Sequence, residues 1–173
     1  MQKAPSKLLK VGLLIFSLVI STLVILYKDS FSNLEGYGYL GIFIISVLGN
    51  STVIIPAPVI LTAFVGGSVF NPYLVGIITA IGATIGELTG YMAGYGGKVL
   101  IEENKRYKKI KGWIVKRGFL TIFTLAVIPN PLFDLAGICA GVTNYPLTRF
   151  FTATFLGKTI KFVAVALIGA YAF

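Results

Sequence analysis

Residues 36–86 read GYGYLGIFIISVLGNSTVIIPAPVILTAFVGGSVFNPYLVGIITAIGATIG, 51 consecutive positions without Asp, Glu, Lys or Arg. About 20 apolar residues already cross the hydrocarbon core of a bilayer, so the run marks a membrane-embedded chain. Near its centre lies Pro56-Ala-Pro58. Proline cannot donate to the helix ladder and disfavours helix in the residue before it, which divides the run into separate apolar helices. Outward from this stretch the balance is the same: 56% hydrophobic against 12% charged residues, with a mean hydropathy of +0.88. That composition belongs to an integral membrane protein.

The net charge of +9 is concentrated at the edges of apolar runs. Lys3, Lys7 and Lys10 precede the first. Residues 98–117 carry Lys98, Lys105, Arg106, Lys108, Lys109, Lys111, Lys116 and Arg117 against Glu102 and Glu103. The positive-inside rule accounts for this placement and makes both regions cytoplasmic, with no need of nucleic acid as a partner. The single cysteine, Cys139, offers neither a disulfide nor a thiolate metal site. The chain has no histidine, which removes His-dependent acid–base chemistry, Ser-His triads and H-E-x-x-H metal sites. With no nucleophile–base pair in view, the expectation is a protein that is not an enzyme and uses no metal or cofactor.

Charge bookkeeping sets the expected topology. Residues 8–27 make a first span with a cytoplasmic amino end; the uncharged core is longer than that of a signal peptide and lacks a small-x-small cleavage site. Residues 28–35 form an outer loop. Between it and the basic inner loop, residues 72–97 make one crossing, so residues 36–71 must begin and end on the same side. They are too few for two full helices and a turn. A re-entrant hairpin with Pro56 and Pro58 at its tip satisfies both conditions, provided protein or a wet cavity shields the break from lipid. Residues 118–143 repeat the device around Ile128-Pro129-Asn130-Pro131. An offset of 73 superimposes Ile55 on Ile128, Pro56 on Pro129, Pro58 on Pro131, Ala63 on Ala136, Val69 on Val142, Asn71 on Asn144 and Leu74 on Leu147. The expected fold is an all-α polytopic membrane protein. An N-terminal transmembrane helix and outer loop (residues 1–35) precede a membrane domain (36–173) made of repeat 1 (36–97), a basic cytoplasmic loop (98–117) and repeat 2 (118–173). The hairpins enter from opposite sides, which is the inverted-repeat architecture of transport sites built from broken helices.

Few polar residues lie at depth. Glu87 falls about midway along its span, where an ionised carboxylate must be paired, protonated or wetted; a transport role and a structural ion pair are both open. Tyr91, one turn on, either hydrogen-bonds the carboxylate or packs as an aromatic. Asp134, three residues past Pro131, either caps the half-helix or takes part in an ion path. Asn130 most simply completes the turn. Lys158 and Lys161 lie inside the last span, and the offset of 73 carries Glu87 to Ile160 between them. The expectation is a Glu–Lys contact, against which stands snorkelling of both lysines; Arg149, near the cytoplasmic end, is expected to snorkel. Gly82, Gly86, Gly90 and Gly94 recur every fourth residue as a close-packing stripe, for which a re-entrant hairpin is the candidate partner. In the basic loop Tyr107, Ile110, Trp113 and Ile114 recur at helical spacing. They suggest an interfacial helix that holds anionic lipid through Lys105, Arg106, Lys108, Lys109 and Trp113, although Gly112 opposes helix and a solvated loop is the alternative.

These residues resemble the DedA family, also called SNARE-associated Golgi or VTT-domain proteins. The resemblance runs from about residue 50 to residue 173. It rests on Pro56-Ala-Pro58, on Gly82-x-x-x-Gly86-Glu87-x-x-x-Tyr91-x-x-Gly94-x-x-Gly97, and on the block from Ile128-Pro129 to Gly141 leading to Pro146-Leu-Thr-Arg149-Phe150. It implies two facing re-entrant hairpins in a prokaryotic cell membrane and movement of lipids or lipid carriers, such as polyprenyl phosphates or phospholipids. Glu87 falls where the family has an acidic residue. The chain departs from the family at Val59 and Ile60, where an acid is usual, and at Ala126 and Leu132, where arginines are usual. It is therefore similar to a divergent, YqaA-like member, to which proton coupling and phosphate recognition do not simply carry over.

The leading functional expectation is lipid translocation, with membrane lipids bearing anionic headgroups as partners. A proton- or ion-coupled transporter of a small solute and a structural or assembly protein are the alternatives, and self-association stays open.

Overall fold

The computed structural model describes residues 35–51, 57–96, 105–130 and 132–172. The expected first span, Pro56, Pro131 and the residues around Lys98 lie outside this set, as do the side chains of Pro58 and Arg106. The described residues form six helices: α1 (Glu35–Ser51), α2 (Ala57–Val69), α3 (Pro72–Gly96), α4 (Lys105–Val127), α5 (Leu132–Val142) and α6 (Leu147–Ala172).

Two of them, α3 with 25 residues and α6 with 26, are long and apolar enough to cross a membrane. At 1.5 Å per residue each runs about 37–39 Å. The others are shorter. Helix α4 is broken at Arg117 (φ −145°, ψ 55°), which separates a basic segment, residues 105–116, from an apolar limb, residues 118–127. That limb and the 11-residue α5 are each about 15–17 Å long, half the roughly 30 Å of a hydrocarbon core.

Local chemistry sets the ends. Asn71 Oδ1 accepts the backbone N–H of Tyr73 and of Leu74, at 3.0 and 3.3 Å, with Pro72 in the first helical position, where its missing N–H costs nothing. Asn130 Oδ1 caps α5 by accepting Leu132 N–H at 2.9 Å. Helix α5 ends on Asn144 in the left-handed region (φ 52°). Tyr145 N–H bonds Ala140 C=O and Asn144 N–H bonds Gly141 C=O, the paired bonds of a Schellman motif.

Helices α1 and α2 are the antiparallel limbs of a hairpin: Gly38 meets Phe70, Ile42 meets Gly66 and Gly49 meets Val59. Helix α1 also lies alongside α3 in the same direction, with Gly82 against Phe43 and Ser46, and Gly86 against Val47 and Asn50. Helix α1 therefore ends beside Gly86, part-way down α3. The second hairpin, the apolar limb of α4 with α5, lies along α6 in the same manner. Gly118 abuts Tyr145 at its base, and Gly157 receives Phe123, Ala126 and Val127. Because α3 and α6 cross antiparallel (Gly76 on Val163, Glu87 on Lys158), the two hairpins enter the pair from opposite ends. The second limbs then cross over: α2 packs on α6 and α5 on α3. Gly67 and Gly169 seat one crossing against the backbones of Ala166 and Phe64. Gly94 and Gly141 seat the other against those of Ile138 and Tyr91.

This packing is pseudo-two-fold, but its register is not a uniform 73. Equivalent contacts pair Phe43 with Phe123 and Val47 with Val127, 80 apart, whereas Gly82 pairs with Gly157, 75 apart, and Gly67 with Gly141, 74 apart. The first tip is longer than the second, so a single sliding offset aligns the prolines and misses the limbs. The Asn71–Asn144 match also dissolves: Asn71 begins a helix and Asn144 ends one.

The glycine stripe serves two partners. Steps of four residues rotate by about 40° on a helix of 3.6 residues per turn. Gly82 and Gly86 accordingly face α1, Gly94 faces α5, and a Cβ at Gly90 would meet nothing. Gly90→Ala is expected to be neutral or to stabilise by up to about 1 kcal/mol through helix propensity. Gly94→Ala, whose methyl would strike the Ile138 carbonyl, is expected to lower the unfolding midpoint in detergent. Equal midpoints for the two variants would contradict this packing.

Candidate functional site

At mid-length of α6 the ammonium of Lys158 is 1% exposed and reaches toward α3. It donates to Glu87 Oε1 at 2.7 Å and to Asn50 Oδ1 at 2.7 Å. The Phe133 ring centroid lies 5.1 Å from the same nitrogen, a cation–π distance. Glu87 is 4% exposed. One ammonium thus gathers a carboxylate from α3, an amide from the end of α1 and an aromatic face from α5. Lys158 does not snorkel, since its ion pair and hydrogen bond are available inside the bundle.

Asp134 lies half-buried in the first turn of α5, within electrostatic reach of Glu87, Lys158 and Lys161. It does not cap the helix; Asn130 does, while donating its amide to the carbonyls of Leu125 and Ile128 at 3.0 and 2.7 Å. Lys161, half-buried one turn beyond Lys158, places its ammonium 4.7 Å from the ring centroid of its neighbour Phe162. The four interior charges, two acidic and two basic, balance, a condition for holding them at this depth.

Tyr91 is not a partner of Glu87. Its hydroxyl donates to Tyr145 C=O at 2.7 Å, and its ring packs on Phe150 with centroids 5.1 Å apart. The carbonyl at the α5–α6 turn has no helical partner, so it claims the hydroxyl. Pro129 lies in the non-helical break between α4 and α5, and Pro58 in the first turn of α2.

The basic segment of α4 is a helix that runs through Gly112. Its apolar face is taken by the protein itself: Tyr107, Ile110 and Ile114 are each 2% exposed and pack with Ala136, Cys139 and Ala140 of α5. That burial outweighs the poor propensity of one glycine. Trp113 is left outward with Lys109 stacked 5.0 Å from its ring centroid, and Lys105 and Lys108 are exposed beside it. Of the residues proposed for lipid contact, Lys105, Lys108, Lys109 and Trp113 therefore share the outer face, while Tyr107, Ile110 and Ile114 do not.

Asn50 was not among the polar residues singled out from sequence. As an asparagine beside a proline break it reads as turn chemistry, and only the approach of α1 to Gly86 brings it to Lys158. Among the described residues no group of three or more His, Cys, Asp or Glu side chains is placed to hold a metal.

Removing one member of a buried ion pair strands the other charge, at a cost of about 3–5 kcal/mol. Glu87→Gln and Lys158→Met are each expected to lose stability on that scale, and the double variant to recover more than half of it, by denaturant unfolding in micelles. Single effects that simply add would show that the pair is uncoupled.

The VTT domain matches residues 55–171. The vacuole membrane protein KMS2 of Arabidopsis thaliana is 38% identical over 103 residues, covering 49% of this chain and 25% of that protein. The vacuole membrane protein 1 homolog of Dictyostelium discoideum is 32% identical over 146 residues, 66% of this chain and 35% of its own length. The chain thus spans about a third or less of these two relatives. A Lactococcus lactis protein named alkaline phosphatase-like is 31% identical over 153 residues, 78% of this chain and 70% of that protein. No solved structure matches. The chain belongs to the VTT-domain family of helical membrane proteins.

Proposed function

We propose that this protein moves lipids between the leaflets of its membrane, with the polar headgroup passing along the seam where the two hairpin ends meet α3 and α6. The observation that carries this reading is the Glu87–Lys158–Asn50 cluster at mid-length of the two crossing helices. Lipid hydrocarbon excludes ions, and an ionisable pair at this depth marks a path for polar groups. The hairpins are re-entrant in this reading. Their first limbs end against Gly86 and Gly157, where the crossing helices offer the shielding that a break at depth requires. Breaking and remaking the Lys158 pair opens and closes the seam, while Asp134 and Lys161 offer alternative partners to a passing zwitterionic or anionic headgroup. The amino end is cytoplasmic on the positive-inside rule.

A second reading is favoured by the completeness of the cluster: Lys158 already has two partners at 2.7 Å, as a purely structural clasp would. The two readings separate in proteoliposomes containing a headgroup-labelled phospholipid and an impermeant quencher. The wild-type protein is expected to expose inner-leaflet label. Glu87→Gln/Lys158→Met, still folded, is expected to do so at least tenfold more slowly. A folded double variant with unchanged flux would sink the translocation path and leave the clasp.

A further inference from the structure

Where α4 breaks at Arg117, a cleft of about 640 Å³ opens between the start of the apolar limb and the α5–α6 turn. Three cationic side chains line it: Lys116 and Arg117 from the break and Arg149 from the first turn of α6. Among the described residues no Asp or Glu lines it, and the interior acid Glu87 is paired with Lys158. A second recess of about 440 Å³ adjoins it and shares Phe119, Tyr145 and Arg149.

The lining is mixed in character. Lys116, Arg117 and Arg149 are exposed to solvent. Val115, Phe119 and Leu120 are also 70%, 39% and 57% exposed, and the last two continue the cleft onto the apolar limb. The cleft sits where a basic helix turns into a hydrocarbon-length one, so its polar half lies at headgroup level and its apolar half at acyl level. Two guanidiniums and an ammonium in one recess suit a doubly charged phosphate, which accepts forked bonds from arginine, better than a singly charged diester.

We infer that this cleft, lined by Lys116, Arg117 and Arg149, is a binding site for a phosphomonoester group, carried by a lipid whose acyl chains lie along Val115, Phe119 and Leu120. The site is separate from the Glu87–Lys158 pair, since Arg149 and Lys158 are nine residues apart on α6, about 14 Å. It does not depend on the translocation reading. The apolar wall favours a lipid over a soluble phosphate as the source.

The chain supplies its own probe, because Trp113 is its only tryptophan and precedes Arg117 by one helical turn. The full chain in phosphatidylcholine nanodiscs would be titrated with phosphatidate, phosphatidylserine or phosphatidylcholine brominated on the acyl chain, reading quenching of Trp113. Phosphatidate is expected to quench at concentrations at least tenfold lower than phosphatidylserine. Arg117→Gln/Arg149→Gln is expected to abolish that preference, whereas Lys105→Gln/Lys108→Gln, on the same basic helix outside the cleft, leaves it in place. Arg149→Gln alone, a change at an exposed side chain, is expected to weaken the preference severalfold and serves if the double variant does not fold. Equal quenching by the two anionic lipids, or a preference that survives loss of the arginines, would overturn the site. Displacement of the brominated lipid by millimolar inorganic phosphate would assign the cleft to soluble phosphate and overturn the lipid source.

Discussion

An ammonium at the middle of a bilayer-length helix has few ways to exist, and Lys158 adopts the most demanding of them. It keeps its charge inside and recruits partners from two other helices. Everything around it follows from letting those helices come near enough. Glu87 is preceded by Gly86, which admits the end of α1 and so delivers Asn50. Lys158 is preceded by Gly157, which admits the apolar limb of α4. In both repeats the residue before the charge is a glycine whose missing side chain helps to seat a hairpin. The ion pair and the hairpins are therefore a single construction: without the glycines the tips could not approach, and without the paired charges nothing polar would be gained by the approach.

Much of this was legible in the chain. The charge-free run, the two proline breaks and the positions of the basic clusters implied short paired helices and two long ones, because proline chemistry and membrane thickness act locally and need no knowledge of packing. The facing of Glu87 and Lys158 also followed from treating the halves as related. Asn50 was not legible, since a tip asparagine looks the same whether it completes a turn or reaches across to another helix. The register was misread for a related reason. Prolines mark where a backbone breaks, but the contact surfaces on either side are set by glycines, and the unequal tips shift one set against the other. The stripe from Gly82 to Gly94 likewise looked like one face because four-residue spacing hides a rotation that accumulates to a change of partner. In the basic segment, three of the four apolar positions read as an interfacial face, Tyr107, Ile110 and Ile114, were claimed by α5 while Trp113 stayed outward, an outcome decided by tertiary burial that no periodicity displays.

The two ends of α6 illustrate how differently the same charge is handled at different depths. Arg149, near water, is left exposed on the rim of a cleft. Lys158, deep in the bundle, is surrounded until nothing of it reaches the surface. Between them the buried positions are Phe150, packed on Tyr91, and then Ala153, Thr154 and Gly157, so beyond the first turn the passage to the centre is made of small side chains. Along that stretch the hold of the helix on the bundle comes from backbone proximity and from the lysine.

The crossing of the second limbs has an implication for how the protein is made. Because α2 rests on α6 and α5 on α3, neither half owns a complete set of neighbours. When the ribosome has delivered only the first half, α2 must wait in or beside the insertion machinery with its seat for Gly169 vacant, and the clasp residue Glu87 waits with it. Helix α6, made after both, is the one that supplies both. Maturation of the bundle is thus tied to synthesis of α6, and a chain cut short within it would leave an unclaimed carboxylate and two unpacked limbs for membrane quality control to recognise.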